Sequence, residues 1–541
     1  MNIQLSTLDT VLIAVYVIGV IFWALKNSKN QDSESYFLAG RNMSWKAVGL
    51  SLFAASVSST TLIGQSAEGF KTGLAVYNYQ WLSILVMIFF AMFFLPFYIK
   101  SGVYTMPEFL ERRYDKRSRT FFSLITIIGN VFLDAAAALY SGALIIRLIY
   151  PEAELQTIIF ILAIVAGSYT ILGGLSSAIN AELVQAVILI IGSVILSYLA
   201  ITEVGGWDVL HERFSEGMWL HLVRPMDDAT TPWLGMLLGI PVLGFYFWGN
   251  NQVMVQRVLS ARSIDQGRKG VLFVGFLYVF TLLIFIIPGL CGRLIDLFDV
   301  EVPLSIFGNA ATELVDVNEI YPRLIMKLMP IGLMGLIMAA MISALTSTLS
   351  AALNSASTLI TMDFYTRIDK KADNKKLVKV GQIISTIILI VAALWAPNIR
   401  KFGSLVDYYQ EIASYLAPPI VGIFFLGLFW KRTNSAGAFG GLVFGGLVAI
   451  VLFFFKKYTP FADMHFLMLV PFLLVSNMAI TIIISIMTKP PTGKQLEGNL
   501  WTTALWHEET EALKSVVWYK NFRIQSAVLA VFAIASFLFY I

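Results

Sequence analysis

The 541-residue chain has little of what enzymes and soluble proteins depend on. Charged residues make up only 13% of it, and it has four histidines and a single cysteine, Cys291. One cysteine excludes an internal disulfide and a cysteine metal cluster, so we expect Cys291 to be structural. The phosphate-binding pattern G-x-x-x-x-G-K-[ST] is absent, which argues against a nucleotide-driven pump. Neither a nucleophile–base pair nor a metal cluster supports an enzyme.

Apolar residues are abundant instead. They make up 57% of the chain, and the mean hydropathy is +0.76, which places the protein in a bilayer. Crossing a bilayer takes about 20 apolar residues in a helix. We therefore predict an all-α membrane protein of about 14 transmembrane helices in one domain, residues 1–541. The predicted crossings are 8–25, 46–68, 75–99, 120–146, 156–174, 181–201, 232–253, 270–292, 325–362, 377–397, 405–430, 436–455, 464–488 and 524–541.

The segments between the crossings are short. The longest, 202–231, 293–324 and 489–523, are too short for the signalling domain that a solute sensor would carry. The first crossing is not a cleavable signal peptide, because no basic residue precedes it and Asp9 stands at its start. We expect it to remain as a helix.

The distribution of Lys and Arg predicts the orientation. If the N-terminus lies outside, cytoplasmic loops hold 27 of the 38 Lys and Arg, as the positive-inside rule requires. We therefore predict a multi-pass protein of the cell (inner) membrane with both termini on the outer, periplasmic side. The net charge of +4 reflects this topology and does not indicate a nucleic-acid partner.

Two predicted crossings are interrupted by polar or glycine-rich sequence, at residues 51–65 and 244–252. Broken helices at matching positions in two halves are typical of secondary transporters. They open two five-helix blocks, and the odd number of helices makes the second block inverted relative to the first. We thus predict an accessory helix, a first repeat, a second repeat and accessory C-terminal helices, at 8–25, 46–201, 232–430 and 436–541.

A run of hydroxyls and small residues, Ala344 to Ser355, lies inside one long apolar segment. At helical spacing one face of this run holds Ala344, Ser347, Thr348, Ala351 and Ser355. Close helix packing is one interpretation, because small residues let membrane helices approach. A site for a hard cation with oxygen ligands is the other.

Six motifs in order resemble the sodium:solute symporter family, particularly bacterial sodium/galactose transporters. The resemblance runs from about residue 8 to the last helix, and it implies the leucine-transporter-type fold, an inverted-repeat core of ten helices with alternating access. It also favours the cation site over simple packing. The motifs are Tyr36–Arg41, Tyr104–Arg113, Leu172–Ser176, Gln256–Arg262, Leu353–Asp363 and Leu426–Lys431.

The resemblance implies Na⁺ as the coupling ion. Its matched ligands are the carbonyls of Ala54, Val57 and Ala344 and the hydroxyls of Ser347 and Thr348. Some family members hold a second sodium, and the matching positions here are Glu182 and Ser350. This chain has Glu where those members have Asp, and the next hydroxyl position is Ala351.

The resemblance also implies a pocket for a sugar or sugar-like polar solute. Departures from the galactose pattern, such as Gln80 for an acid, Asp134 for an asparagine and Tyr278 for a lysine, make galactose itself a poor match. Donors and acceptors beside aromatic faces suit a neutral polyol or sugar. The expected substrate-binding residues are Thr61, Gln65, Tyr79, Gln80, Ser83, Asp134, Phe247, Trp248, Tyr278 and Gln410.

Asp134 leaves alternatives open. A carboxylate inside a membrane helix is costly and marks a functional residue by default, although a buried, protonated acid is the structural explanation. It accepts hydrogen bonds from a sugar, or pairs with a cationic solute. If Asp134 or Glu182 gains and loses the coupling proton, the protein is instead a proton-coupled carrier of the same fold. A third alternative is a sodium symporter for a carboxylated sugar or another small organic solute.

Overall fold

The protein is almost entirely helical in a computed structural model that describes residues 6–27, 41–298, 300, 302–306, 308, 310–402 and 404–538. Side chains at 17, 20–21, 23–27, 59, 168–184 and 186 also lie outside the description. Two isolated bridges, Met43 with Ala261 and Arg224 with Pro232, are the β-type pairings among the described residues. Cys291 is buried and free.

Helices in the first half of the chain surround the two interrupted segments. They are α1 (Thr7–Asn27), α2 (Trp45–Ser56), α3 (Ser59–Thr72), α4 (Asn78–Phe89), α5 (Leu95–Ser101), α6 (Met106–Arg113), α7 (Lys116–Gly129), α8 (Ala136–Ile149), α9 (Leu155–Val204), α10 (Trp207–Arg213), α11 (Trp233–Phe245), α12 (Gln252–Leu259), α13 (Ile264–Tyr278) and α14 (Ile287–Gly292). Single π-helical turns continue α4 into α5, α7 into α8, and α11 towards α12.

The second half contains the longer, less interrupted helices. They are α15 (Ala310–Leu314), α16 (Ile320–Leu328), α17 (Leu333–Leu359), α18 (Thr366–Ile368), α19 (Asn374–Trp395), α20 (Leu405–Phe429), α21 (Ser435–Gly440), α22 (Gly446–Phe455), α23 (Phe466–Met487), α24 (Gly493–Leu496), α25 (Thr503–Lys514) and α26 (Phe522–Leu538).

Nine helices among the described residues are long and apolar enough to cross a membrane. The number is ten if α13 and the segment Leu282–Gly292, which ends in α14, form one bent span. The predicted number of fourteen crossings is therefore not confirmed. One difference is specific: the separate crossings 156–174 and 181–201 lie in the single helix α9, which has 50 residues. The stretch 175–180, which separated the two predicted crossings, continues as helix. At 1.5 Å per residue α9 is about 75 Å long, more than twice the hydrocarbon thickness.

The first interrupted segment is a broken helix. α2 ends at Ser56, and Val57 leaves helical geometry (φ −97°, ψ 69°). Ser58 begins α3, its hydroxyl accepting the N–H of Thr61 at 3.2 Å. The Thr61 hydroxyl donates to the Ser56 carbonyl across the break at 2.8 Å. Ser and Thr side chains replace the backbone bonds that the break removes, which is why this sequence tolerates it.

The second interrupted segment breaks as well. α11 loosens into a π-helical turn over Tyr246–Asn250, and Asn251 is extended (φ −67°, ψ 125°). The Asn251 side chain then accepts the N–H of Val253 at 2.8 Å and starts α12. Both breaks therefore end in a polar residue that caps the following half-helix, and both lie against the cavity described below.

Helix α1 is tied to the start of α17. The Asp9 carboxylate accepts the backbone N–H groups of Gly332 and Gly335, each at 2.8 Å. A carboxylate at a helix N-terminus satisfies orphan donors and complements the helix dipole. The acidic residue at the start of the first segment thus holds the helix that contains the Ala344–Ser355 run.

Candidate functional site

A small cavity of about 170 Å³ lies between the two broken helices and their neighbours. Residues from α2 and α3 form one wall, and the π-helical turn after α11 forms another. The cavity brings together the ten residues predicted to bind substrate, with Thr348 of α17 beside them. Those ten are Thr61, Gln65, Tyr79, Gln80, Ser83, Asp134, Phe247, Trp248, Tyr278 and Gln410.

Some polar side chains that line the cavity already have hydrogen-bond partners within the protein, and others do not. The Ser83 hydroxyl donates to the Tyr79 carbonyl at 2.6 Å, and the Thr61 hydroxyl spans the helix break. Gln65 and Gln80 are 5% and 4% exposed, and their carboxamide oxygens have no hydrogen-bond partner among the described residues. Buried polar groups are normally paired, so these two glutamines are the strongest candidates for contact with a ligand.

Aromatic rings form the apolar part of the cavity. Trp248 packs edge-on against Phe247 and Tyr278, with ring centroids 5.1 and 5.2 Å apart. The Tyr278 hydroxyl bonds to Ser56 at the end of α2, so the ring is fixed in place by the first break. Ring faces beside hydroxyl and amide groups are typical of sites for small polar solutes.

Sequence reasoning missed several wall residues. Tyr409, next to Gln410 on α20, hydrogen-bonds to the Asp134 carboxylate. Tyr246 lies in the interrupted segment that was recognised, and Val406 lies one turn before Gln410. The aromatic run from Phe245 to Trp248 was a usable signal for Tyr246, whereas the pairing of Tyr409 with Asp134 joins residues 275 positions apart and leaves no local pattern.

The residues predicted to hold sodium belong to the end of α2, to Val57 just after it and to α17, and these two helices contact each other. Ser347 is 4% exposed, and its hydroxyl has no partner among the described residues. The Thr348 hydroxyl donates to the Ala344 carbonyl at 3.1 Å. Because α2 ends at Ser56, the carbonyls of its last turn, including that of Ala54, lack donors from a continuing helix. Oxygens alone, without a counter-charge, suit a monovalent cation.

The second predicted sodium position is only partly visible. The Ser350 hydroxyl is fully buried and also lacks a partner in the described part of the chain. Glu182 lies outside the described side chains, although its backbone belongs to α9. Helix α9 contacts both α2 and α17.

A wider vestibule of about 730 Å³ adjoins the cavity, and Tyr79 and Val406 line both. At its floor the Lys71 ammonium group contacts Glu68 at 2.9 Å and Asp407 at 2.8 Å. Glu68 also accepts the Ser404 hydroxyl at 2.8 Å. These ion pairs join α3 to α20 where the vestibule meets the cavity.

A second cluster of charged side chains lies near the opposite end of α20. Arg113 of α6 donates to the carbonyl of Gly427, near the end of α20, at 2.7 Å. Beside it Arg119 contacts Glu111 at 2.7 Å and Asp363 at 2.5 Å. Asp363 is 1% exposed and also accepts the Thr105 hydroxyl at 3.0 Å. Side chains from α6, α7 and the π-helical turn that follows α17 (Ile360–Tyr365) thus meet around the buried Asp363.

Comparison with known proteins identifies the family. The model of the sodium:solute symporter family matches residues 36–445. The chain belongs to the sodium:solute symporter family. It is 32% identical to the sodium/glucose cotransporter 1 of Oryctolagus cuniculus, over 93% of this chain and 82% of that protein. It is 33% identical to the sodium/myo-inositol cotransporter of Homo sapiens, over 95% and 77%.

Two solved structures share the fold. One is an outward-open, substrate-bound Na⁺-coupled sialic acid symporter, with 21% identity, a TM-score of 0.76, and coverage of 90% of this chain and 99% of that one. The other is a nucleobase-cation-symport-1 family transporter in a closed conformation with bromovinylhydantoin bound, with 12% identity, a TM-score of 0.54, and coverage of 86% and 97%.

These matches confirm the resemblance read from the six motifs. The protein is a multi-pass membrane symporter that uses Na⁺, and it is not an enzyme. Of the motifs, Tyr36–Gly40 lies outside the described residues, as do the side chains of Leu172–Ser176. The Leu353–Asp363 motif ends in the carboxylate that Arg119 binds.

Proposed function

We propose that this symporter imports a sugar or sugar-like polar solute together with Na⁺, and that the cavity between the broken helices binds the solute. The observation that carries the proposal is that ten residues chosen from the sequence line one small cavity beside Thr348. Relatives named for glucose and myo-inositol support a hydroxyl-rich solute. The unpaired amides of Gln65 and Gln80 provide the hydrogen bonds that such a solute needs.

The coupling Na⁺ is proposed to bind the carbonyls of Ala54, Val57 and Ala344 and the hydroxyls of Ser347 and Thr348. The unpartnered Ser347 hydroxyl and the end of α2 at Ser56 support this set. A second Na⁺ at Glu182 and Ser350 is supported only by the unpaired Ser350 hydroxyl, since the Glu182 side chain is not described.

The arrangement in the membrane is part of the proposal. The chain crosses the membrane fourteen times, and both termini lie outside. An accessory helix (8–25) precedes the inverted repeats 46–201 and 232–430, and accessory helices follow at 436–541. The two helix breaks at corresponding positions support the repeats, and the distribution of Lys and Arg supports the orientation in a cell membrane. The vestibule then faces outward.

The two ionic clusters suggest how access alternates. Na⁺ entering from the vestibule joins α2 to α17 and raises the affinity of the adjacent cavity for solute, because coupling between two sites is reciprocal. The ion pairs of Lys71 then hold α3 to α20 on the vestibule side. When the Arg119–Asp363 ion pair opens, Na⁺ and the solute are released to the cytoplasm. Each inward Na⁺ contributes about 2.3 kcal/mol per 100 mV, in addition to its concentration gradient.

A proton-coupled cycle is the second candidate, favoured by one observation. Asp134 lines the cavity and hydrogen-bonds to the Tyr409 hydroxyl, so it is placed to exchange a proton with the cavity. A carboxylated sugar fits less well, because no Lys, Arg or His lines the cavity as described.

Transport by purified protein in liposomes tests the proposal. Electrogenic currents should appear when sugars or polyols are added in Na⁺ and should vanish when choline replaces Na⁺ under an unchanged pH gradient. Currents that persist without Na⁺ and follow the pH gradient would favour the proton-coupled candidate. A response restricted to uronates or sialic acids would replace the solute class and leave Na⁺ coupling intact.

A further inference from the structure

The charge inside the cavity is one-sided. Asp134 is the sole residue among its described lining that carries a formal charge at neutral pH. The Tyr409 hydroxyl gives it one hydrogen bond but no compensating charge. A carboxylate in a membrane-embedded cavity is expensive without a partner, and a bound cation removes that cost.

The vestibule repeats the same sign. Two lysines, Lys71 and Lys456, and one histidine, His465, stand against its acidic side chains. Clefts lined by one sign of charge raise the local concentration of the opposite ion. Its six acidic residues are Glu68, Asp227, Asp228, Asp407, Glu411 and Asp463.

The rest of the cavity accommodates both a cation and hydroxyl groups. The edge-packed rings of Trp248, Phe247 and Tyr278 leave aromatic surface in the wall, and aromatic faces attract ammonium groups. Gln65 and Gln80 bring carboxamides to the same space, each with an unpaired oxygen. A simple amine leaves these amides unsatisfied, whereas a hydroxylated ring with one ammonium group satisfies amides, carboxylate and rings together.

We propose that the transported solute is a small polyhydroxylated ring carrying a protonated amine, an amino sugar or aminocyclitol, with its ammonium group paired to Asp134. The inference rests on the proposed function, since it concerns the same cavity. The acidic vestibule attracts Na⁺ as well as the amine, so Asp134 is the group that distinguishes an amine from its neutral parent. The vestibule and the cavity both disfavour anionic sugars, because both carry negative charge.

Matched probe pairs test this on the wild-type protein in liposomes. Glucosamine is compared with glucose, N-acetylglucosamine and glucuronate, and an inosamine with myo-inositol, in Na⁺ and at a pH where the amines are protonated. Each amine should half-saturate the Na⁺-dependent current at a concentration at least about tenfold below its neutral parent, and N-acetylation should abolish the preference. Glucuronate should give the weakest response.

Two variants assign the preference to its residue. Asp134→Asn should reduce the ratio of amine to neutral half-saturation to near one, and Tyr409→Phe should reduce it partly. Asp265→Asn, at an exposed residue outside the cavity, should leave the ratio unchanged. Na⁺-dependent currents of equal affinity for amine and parent would overturn the inference while the sugar-symport proposal stands. No Na⁺-dependent response to any hydroxylated probe would overturn both.

Discussion

The Lys71 ammonium group lies 2.8 Å from the Asp407 carboxylate and joins α3 to α20. The two residues are 336 positions apart in the chain. Lys71 is 1% exposed and also contacts Glu68, so one buried cation serves two carboxylates. The pairs lie where the vestibule meets the cavity. They therefore connect the stability of the fold to access to the site.

Removing that cation should destabilise the protein and impair closure. Lys71→Ala leaves the buried Glu68 carboxylate beside the partly exposed Asp407 carboxylate without a compensating cation. Breaking a fully buried ion pair costs about 3–5 kcal/mol, and the exposure of Asp407 places the cost here towards the lower end of that range. We expect a large fall in melting temperature in detergent and a loss of Na⁺-driven uptake. Lys457→Ala is the matched control, because Lys457 is an exposed lysine whose ammonium group lies over the exposed ring of Tyr458. Equal melting temperatures for the two variants would contradict the role of Lys71.

Ser347 should govern the affinity for Na⁺. Ser347→Ala removes one proposed ligand from a neutral oxygen set, so the Na⁺ concentration for half-maximal uptake should rise by about tenfold, equivalent to about 1.4 kcal/mol. Ser357→Ala on the same helix is the control, because the Ser357 hydroxyl is bonded to the Asn354 carbonyl at 3.1 Å. Unchanged Na⁺ dependence in Ser347→Ala would remove this residue from the site.

Two neighbouring arginines should differ sharply in importance. Arg119 binds the buried Asp363, whereas Arg117 is 60% exposed and pairs with Asp115 at 2.9 Å at the surface. Arg119→Ala should cost about 3 kcal/mol or more and abolish transport, because it leaves a buried carboxylate unpaired. Arg117→Ala should cost less than about 1 kcal/mol. Thermal unfolding and uptake of both variants measure the contrast, and similar losses would exclude a closing role for the Arg119 network.

Close packing of α3 on α14 should tolerate no added methyl group. A Cβ at Gly289 would lie within 2.0 Å of the Ser66 carbonyl oxygen. Gly289→Ala should therefore separate the two helices and lower the yield of folded protein. Gly446→Ala, whose Cβ would first meet the Phe121 ring at 3.9 Å, should behave as wild type in size-exclusion chromatography. A monodisperse Gly289→Ala protein of normal stability would show that α3 and α14 can accommodate a methyl group at this contact.

The sequence contained the local features of the fold and fewer of the long-range ones. Polar interruptions at 51–65 and 244–252 predicted where helices break, because a broken helix needs side chains that cap its ends. The continuous helix α9 was missed, because the apolar runs on either side of residues 175–180 were each counted as a separate crossing. The Lys71–Asp407 and Asp134–Tyr409 contacts were missed because pairing across hundreds of residues leaves no periodic signal.

Sodium-dependent uptake tests the central claim most directly. Purified protein in liposomes, with a membrane potential negative inside, should accumulate a labelled sugar, polyol or amino sugar only when Na⁺ is outside, and Ser347→Ala should need more Na⁺ for the same rate. Accumulation of such a solute that is equally fast with choline in place of Na⁺ would contradict the account.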